Sequence, residues 1–156
     1  MEYTIRKVTN EDKNALMKLS IKTINSNFRP FMGDEAVDTF INSGMADKEI
    51  MDNINNISAL QINMEIIGLC VWKDNLLHLM MIAPDYQGTG VASYFIEHMC
   101  REKLKEYDEI FLECFENNIR ANAFYRKTGW IMYKKELDTD FNWYRLFYKK
   151  QRSEGM

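Results

Sequence analysis

Residues 82–93, Ile-Ala-Pro-Asp-Tyr-Gln-Gly-Thr-Gly-Val-Ala-Ser, carry the spacing with the clearest chemical consequence. A strand ends in a proline turn, the chain passes Gly88 and Gly90, and a helix opens at Val91. The first amides of such a helix have no carbonyl partner within it, and the aligned peptide dipoles make that end positive. Glycines let a phosphate come close to the backbone, so a pyrophosphate is the natural ligand. Two nucleotide readings fail on the residues present. A dinucleotide turn wants a third glycine where this chain has Ser93, and the ribose-binding acid expected about 20 residues on has no strand to end. A nucleotide-hydrolase loop closes with Gly-Lys-Ser or Gly-Lys-Thr, and this loop has no lysine.

A second patterned block follows at Asn118-Ile119-Arg120-Ala121-Asn122-Ala123-Phe124-Tyr125-Arg126-Lys127-Thr128-Gly129-Trp130. The first block resembles the phosphate signature of the GCN5-related N-acetyltransferase (GNAT) superfamily: Gln or Arg, two variable residues, Gly, one variable residue, then Gly or Ala. Gln87-Gly88-Thr89-Gly90-Val91-Ala92 fits at every fixed position, and Ile82-Ala83-Pro84 matches the strand end that members carry. The second block resembles the superfamily's Asn-x-x-Ala-x-x-Phe-Tyr-x-Lys-x-Gly-Phe pattern, with Trp130 in place of the last Phe. The resemblance covers residues 66–135.

This resemblance implies acetyl-coenzyme A as cosubstrate, an amine as acceptor, and direct transfer through a tetrahedral intermediate, with no metal. The pyrophosphate would sit on the amides of the signature, from Gln87 through Gly88, Thr89, Gly90, Val91 and Ala92 to Ser93. The pantetheine arm would lie beside Met80, Met81 and Ile82 like an added strand, with Asn118 reaching it from the second block. A backbone amide at Met81 or Ile82 would polarise the thioester carbonyl. Tyr125 holds the motif's tyrosine position; a neutral tyrosine, of ordinary pKa about 10, can give its proton to a departing thiolate. Glu113 matches a glutamate that serves as base in some branches, and burial would raise its basicity. A solvated strand glutamate is the competing reading there, with Glu116 the nearest substitute. Asn118 also reads as a helix N-cap. Arg126 and Lys127 read as a solvated helix face, with the nucleotide phosphates as the alternative. His78 reads as a core or cleft histidine before it reads as a base.

Acceptor choice falls to the first helices and the closing strands. The run Thr23-Ile24-Asn25-Ser26-Asn27-Phe28 weakly resembles a polyamine-acetylating branch, and Asp34, Glu35 and Asp38 offer charge to attract a cation. The same acids also suit a helix N-terminus. The acceptor is expected to be a small polyamine-like amine or a peptide amine. A non-catalytic acyl-coenzyme A sensor is the alternative, disfavoured because it has no use for Tyr125. Dimers are common in the superfamily, and Phe141-Asn142-Trp143-Tyr144 would suit a homodimer contact.

The elements that must position these groups follow from periodicity. Strands are expected at Tyr3–Val8, Ile57–Met64, Ile66–Trp72, Leu76–Ile82, Glu109–Phe115, Trp130–Leu137 and Phe141–Lys149. A helix capped by Asn10 stops near Phe28, before Arg29-Pro30, and residues 34–56 hold two short helices broken at Ser43-Gly44. Helices at Val91–Tyr107 and Ile119–Thr128 complete the order β-α-α-β-β-β-α-β-α-β-β. That order argues for an α/β (α+β) GNAT fold: a mixed, mostly antiparallel sheet of about seven strands with helices on both faces. The run Leu-Leu-His-Leu-Met-Met-Ile is expected to be covered on both faces. A single domain over residues 1–150 with a flexible tail at 151–156 completes the organisation.

Composition removes other classes. The chain has 156 residues, 46% apolar or aromatic and 28% charged, which suits one folded core and not disorder. A net charge of −3 provides no electrostatic footprint for nucleic acid. No apolar run approaches a membrane span, and the start carries charge where a signal peptide is apolar, so the expected location is cytoplasmic. Cys70, Cys100 and Cys114 are scattered and odd in number, which argues against a zinc or disulfide framework.

Overall fold

In the computed structural model, which describes residues 2–153, polar turns through Asn63 (φ 56°) and Asp74 (φ 53°) separate three consecutive strands. These are β2 (Ile57–Ile62), β3 (Glu65–Lys73) and β4 (Leu76–Ile82). With β1 (Tyr3–Lys7), β5 (Glu109–Phe115), β6 (Ile131–Asp138) and β7 (Trp143–Gln151) they make a seven-stranded sheet in the order β1-β2-β3-β4-β5-β7-β6. β1 with β2, β2 with β3, β5 with β7 and β6 with β7 are antiparallel, and β4 with β5 is parallel. The expected mixed α/β class is the observed one. The chain divides into two compact units: residues up to Trp72 with Leu79–Ala92, and Lys73–His78 with the chain from Ser93 onward.

In the first unit, α1 (Lys13–Asn27) buries Leu16, Leu19, Ser20, Thr23 and Ile24, a face at helical spacing. Asn10 is not the cap. It lies in a short 3-10 turn, Asn10–Asp12, and the entry is held instead by Asp12, whose Oδ2 accepts the Thr9 N–H at 2.8 Å. Arg6 donates two further bonds to Asp12, each 2.9 Å. Pro30 does not end helical structure after α1. It falls in the first turn of α2 (Arg29–Met32), where proline's missing N–H has no helical partner to lose. α3 (Asp34–Asn42) and α4 (Met45–Asp52) follow, so four helices precede β2 where the element order anticipated fewer. The register of β2 on β3 shifts after Leu60↔Gly68, leaving Ile67 as the extra residue of a bulge. The Ile67 carbonyl accepts the Ala83 N–H at 2.7 Å, which fixes where the chain leaves β4.

α5 (Val91–Glu106) belongs to the second unit from Ser93 on, where it buries Phe95, Ile96, Met99, Cys100 and Leu104, and β5 buries Ile110, Leu112 and Cys114 on one face. α6 (Ile119–Lys127) ends at Thr128, where the Lys150 ammonium donates to the Thr128 carbonyl at 2.8 Å. The tail expected over 151–156 does not begin at 151. Gln151 belongs to β7, and Arg152 pairs with Asp108 at 3.0 Å and donates to the Leu104 carbonyl at 2.6 Å. Residues 154–156 lie outside the described residues.

β4 departs from expectation in its cover. Leu77, Met81 and Ile82 are buried, but His78 is exposed and Leu79 and Met80 are half-buried. The face that carries His78 and Met80 is therefore not sealed, and His78 is no core histidine. Gly68 on β3 packs tightly against the end of β4. A Cβ there would stand 2.8 Å from Ile82 Cδ1, 3.3 Å from the Met81 carbonyl oxygen and 3.3 Å from Leu60 Cβ. Gly68→Val is accordingly expected to lower stability by about 1–3 kcal/mol through overpacking, read from the urea midpoint. The Arg6 and Thr9 hydrogen bonds hold the Asp12 carboxyl down to about 2. A carboxyl so lowered adds stability above its unfolded value of about 4 and loses it as pH falls through the folded value. Asp12→Asn is thus expected to be less stable than the parent at pH 7, with the gap closing as the solution is acidified through that window.

Candidate active site

The turn after β4 is built from its own side chains. Ala83 follows the strand with φ −52° and ψ 135°, Pro84–Tyr86 makes one 3-10 turn, and the Tyr86 N–H returns to the Ala83 carbonyl at 2.9 Å. Gln87 Nε2 donates to the Ile82 carbonyl at 3.1 Å, which staples the turn to the last residue of β4. The Thr89 hydroxyl donates to the Tyr86 carbonyl at 2.5 Å. Gln87 and Thr89, both expected to contact the cofactor, thus spend these side-chain bonds on the turn itself.

Gly88 and Gly90 have φ of 78° and 89°, a region L side chains rarely adopt, and both are exposed, as is Thr89 between them. A Cβ built on either would meet nothing within 4 Å. Glycine is required here by the backbone angle, and the space beside it is open. α5 begins at Val91, so the loop delivers its amides at a helix N-terminus with its positive end. Val91 is buried and anchors the helix start, while Ala92 and Ser93 are half-buried. Lys22 of α1 reaches Asp85 of the turn at 3.2 Å, an exposed pair.

The other expected groups lie in the second unit. Asn118 precedes α6, and its Oδ1 accepts the Ala121 N–H at 3.4 Å, so the N-cap reading is the observed one. Tyr125 is half-buried within an aromatic cluster: its ring centroid is 6.3 Å from Trp130, edge-on, 6.2 Å from Tyr148 and 5.5 Å from Phe124. Trp130, the departure from the motif's Phe, is 3% exposed, and its backbone N–H donates to the Tyr125 carbonyl at 3.0 Å. The larger ring therefore serves as one wall for the tyrosine.

Glu113 lacks the burial expected of it. It is exposed on β5 opposite Phe147, and the Lys134 ammonium lies 4.3 Å over that same ring. Glu113 and Glu136 help hold the Lys134 charge, with the Glu136 hydrogen bond the largest influence. Glu116 is paired with Lys135 at 2.7 Å. Two of the three acids expected to attract a cation, Asp34 and Asp38, are likewise engaged within the chain. Arg29 donates to Asp38 at 2.7 Å and to Asp34 at 3.2 Å, and to Asn25 at 2.6 Å. Phe141 and Trp143, expected at a subunit contact, stack on each other at 5.5 Å and meet Phe115 edge-on.

Two groups escape sequence reasoning. Asn122 is 3% exposed, and Tyr148, the largest fully buried side chain, donates its hydroxyl to Asn122 Oδ1 at 2.7 Å. Burial pushes the Tyr148 phenol up, against the opposing Arg126 guanidinium. The available signal is an asparagine three residues before the motif tyrosine, inside a helix that asparagine does not favour. The thiols are out of the chemistry: burial pushes Cys100 up to about 11 and Cys114 up to about 12, so both stay protonated at neutral pH.

Comparison with known proteins gives a consistent result. The sequence profile of the Acetyltransferase (GNAT) domain family matches residues 25–147. No curated protein matches the sequence. Among solved structures, a GCN5-related N-acetyltransferase (aminotransferase, class II) from Rhodopseudomonas palustris aligns over 97% of both chains, with TM-score 0.81 and 13% identity. The PaiA N-acetyltransferase from Thermoplasma acidophilum, solved in complex with coenzyme A, aligns over 97% of this chain and 100% of its own, with TM-score 0.77 and 18% identity. The ribosomal-protein-S18-alanine N-acetyltransferase from Escherichia coli aligns over 99% of both, with TM-score 0.71 and 18% identity. Likeness at this level of identity shows the fold.

The turn generates a prediction of its own. Since Cβ atoms have room at Gly88 and Gly90, Gly90→Ala is expected to cost about 1–2 kcal/mol of stability through backbone strain alone. Gly90→Asn is expected to cost less, because asparagine tolerates the left-handed region. Equal stability of the parent and Gly90→Ala in urea unfolding would contradict a strained backbone at this position.

Proposed function

The chain belongs to the GNAT acetyltransferase family, and on that premise we propose that it transfers the acetyl group of acetyl-coenzyme A to a primary amine by direct attack. The observation that carries this reading is the glycine turn: two left-handed glycines with open space at their Cβ positions lead into the N-terminus of α5. That is what a pyrophosphate asks for, and it needs no lysine in the loop. Among the described residues no group of three His, Cys, Asp or Glu side chains stands ready for a metal ion. No helix among them is long and apolar enough to cross a membrane. Cys70, Cys100 and Cys114 are buried and in no disulfide, which suits a reducing cytoplasmic setting.

In this reading the amides from Gly88 to Ser93 hold the pyrophosphate, while Gln87 and Thr89 hold the loop in shape. The pantetheine arm runs along β4 at Met80, Met81 and Ile82. β4 pairs with β5 at Leu76↔Phe111 and Leu77↔Leu112, toward the start of the strand, so these roles fall on its later residues. A main-chain amide at Met81 or Ile82 polarises the thioester carbonyl as negative charge develops on its oxygen. The neutral amine attacks, the tetrahedral intermediate gives up the second nitrogen proton to water and collapses, and the carbon–sulfur bond breaks. Tyr125 Oη gives its proton to the departing thiolate and regains one from solvent. Asn118 contacts the arm with the part of its amide that does not cap α6.

The acceptor must shed a proton before it attacks. Glu113 is exposed on its strand, so it takes that proton through water and not from inside a sealed pocket. The acceptor itself is a primary amine of the small polyamine-like or peptide kind. With Asp34 and Asp38 already held by Arg29, the recognition of its charge does not rest on a free acidic trio.

Two measurements test this. Coenzyme A and acetyl-coenzyme A are expected to raise the melting temperature, by an amount that grows with ligand concentration, and NAD and ATP are not. Equal shifts with ATP would end the assignment. In thiol release from acetyl-coenzyme A with a panel of polyamines, aminoglycosides, amino acids and peptides, Tyr125→Phe is expected to lower kcat by about 10²-fold or more. Glu113→Gln is expected to lower kcat/KM for the amine by about tenfold or less, since water can relay the proton to bulk solvent without it.

A further inference from the structure

We propose that Asn122 and Tyr148 form a buried positioning pair that sets the orientation of α6 and, through it, the place of the Tyr125 hydroxyl. The inference rests on the role proposed above for Tyr125. Asparagine is a poor choice for a helix interior, and a buried amide is costly unless its hydrogen bonds are made. Asn122 makes them. Its Nδ2 donates to the carbonyls of Phe115 at 2.9 Å, Asn118 at 2.9 Å and Glu116 at 3.3 Å, and its Oδ1 accepts from Tyr148 at 2.7 Å.

Those partners come from three pieces of chain. Phe115 ends β5, Glu116 and Asn118 lead into α6, and Tyr148 sits mid-strand in β7, opposite Leu112 of β5 and Met132 of β6. One amide therefore ties the end of one strand and the first turn of the helix to the middle of another strand. Tyr125 lies three residues along α6 from Asn122, and its ring is 6.2 Å from the Tyr148 ring. Apolar side chains would hold the helix on the sheet equally well, but apolar contact has no direction. Hydrogen bonds fix the rotation and rise of the helix, and those two quantities decide where a side chain one turn on points. Proton transfer needs that hydroxyl within about 3 Å of sulfur, and a displacement of about 1 Å can cost 10²-fold in rate.

The test replaces both partners at once, so that neither end of the Tyr148–Asn122 bond is left unpaired. The carbonyls of Phe115 and Asn118 keep main-chain donors at 3.0 and 3.1 Å, and the Glu116 carbonyl gives up the 3.3 Å bond from the Asn122 amide. Asn122→Leu with Tyr148→Phe is expected to fold, bind coenzyme A within about threefold of the parent, and lose about tenfold or more in kcat for thiol release with the same amine panel. In a Tyr125→Phe background the paired substitution is expected to cost nothing further, since there is no hydroxyl left to place. A purely structural role would show the opposite pattern: the same loss in both backgrounds, or lowered stability with kcat intact. Should the pair fail to fold, Tyr148→Phe alone carries the test through the same comparison of backgrounds. A paired variant with full kcat, beside a Tyr125→Phe variant that is impaired, overturns this inference and leaves the role of Tyr125 standing. An unimpaired Tyr125→Phe overturns both.

Discussion

Left-handed backbone at Gly88 and Gly90 is the constraint on which the donor side of the protein depends. A chain leaving β4 must reverse within a few residues and enter α5 with its first amides accessible. Two glycines with φ of 78° and 89° make that possible without strain. The surrounding contacts support that geometry. The Ile67 bulge places a carbonyl under the Ala83 N–H, Gly68 leaves room for Ile82, and Gln87 closes the loop on the last carbonyl of β4. The Gln87 and Thr89 side chains are spent on holding the loop. Under the proposed function, an acidic chain with no lysine in the loop would hold its anion on main-chain amides.

The second unit solves a different problem with different forces. A group that donates a proton must be held in direction as well as in place. The Tyr125 ring is walled by Trp130, Phe124 and Tyr148, contacts that set its packing. The helix carrying it is held by bonds with direction: Asn118 at its start, Asn122 on its buried face, and Lys150 on the carbonyl at its end. Glu113 stands outside this frame, on an exposed strand face near Lys134. The acid and the base candidates thus differ in kind. One is built into the aromatic packing of its unit, and the other is an exposed carboxylate on its strand.

Much of this fold is legible in the amino-acid order alone. The bounds of β4 and β5 come out as Leu76–Ile82 and Glu109–Phe115, because apolar patterning and flanking turn residues are local signals. The glycine turn and the Asn118–Trp130 block are local too, and each falls on the element expected of it. What escapes depends on partners distant in sequence or on the facing of a side chain. Nothing beside Asn122 marks it as buried, because the group that bonds it, Tyr148, stands 26 residues away. Asp34 and Asp38 offer free charge on paper, and only the folded chain brings Arg29 onto both. Glu113 has apolar strand neighbours that suggest burial, yet alternation turns every second side chain outward. Pro30 marks the end of α1 correctly but says nothing against a new helical turn beginning beneath it.

If backbone amides of the glycine turn hold the donor by its pyrophosphate, calorimetric titration with coenzyme A, dephospho-coenzyme A and pantetheine shows it most directly. Dephospho-coenzyme A keeps the pyrophosphate and loses only the ribose phosphate, so its affinity is expected within about tenfold of coenzyme A. Pantetheine lacks the pyrophosphate and is expected to bind about 10²-fold more weakly or worse, since charge-assisted bonds to the turn are gone. Pantetheine binding as tightly as coenzyme A would contradict this, because the grip would then lie along β4 and not at Gly88 and Gly90.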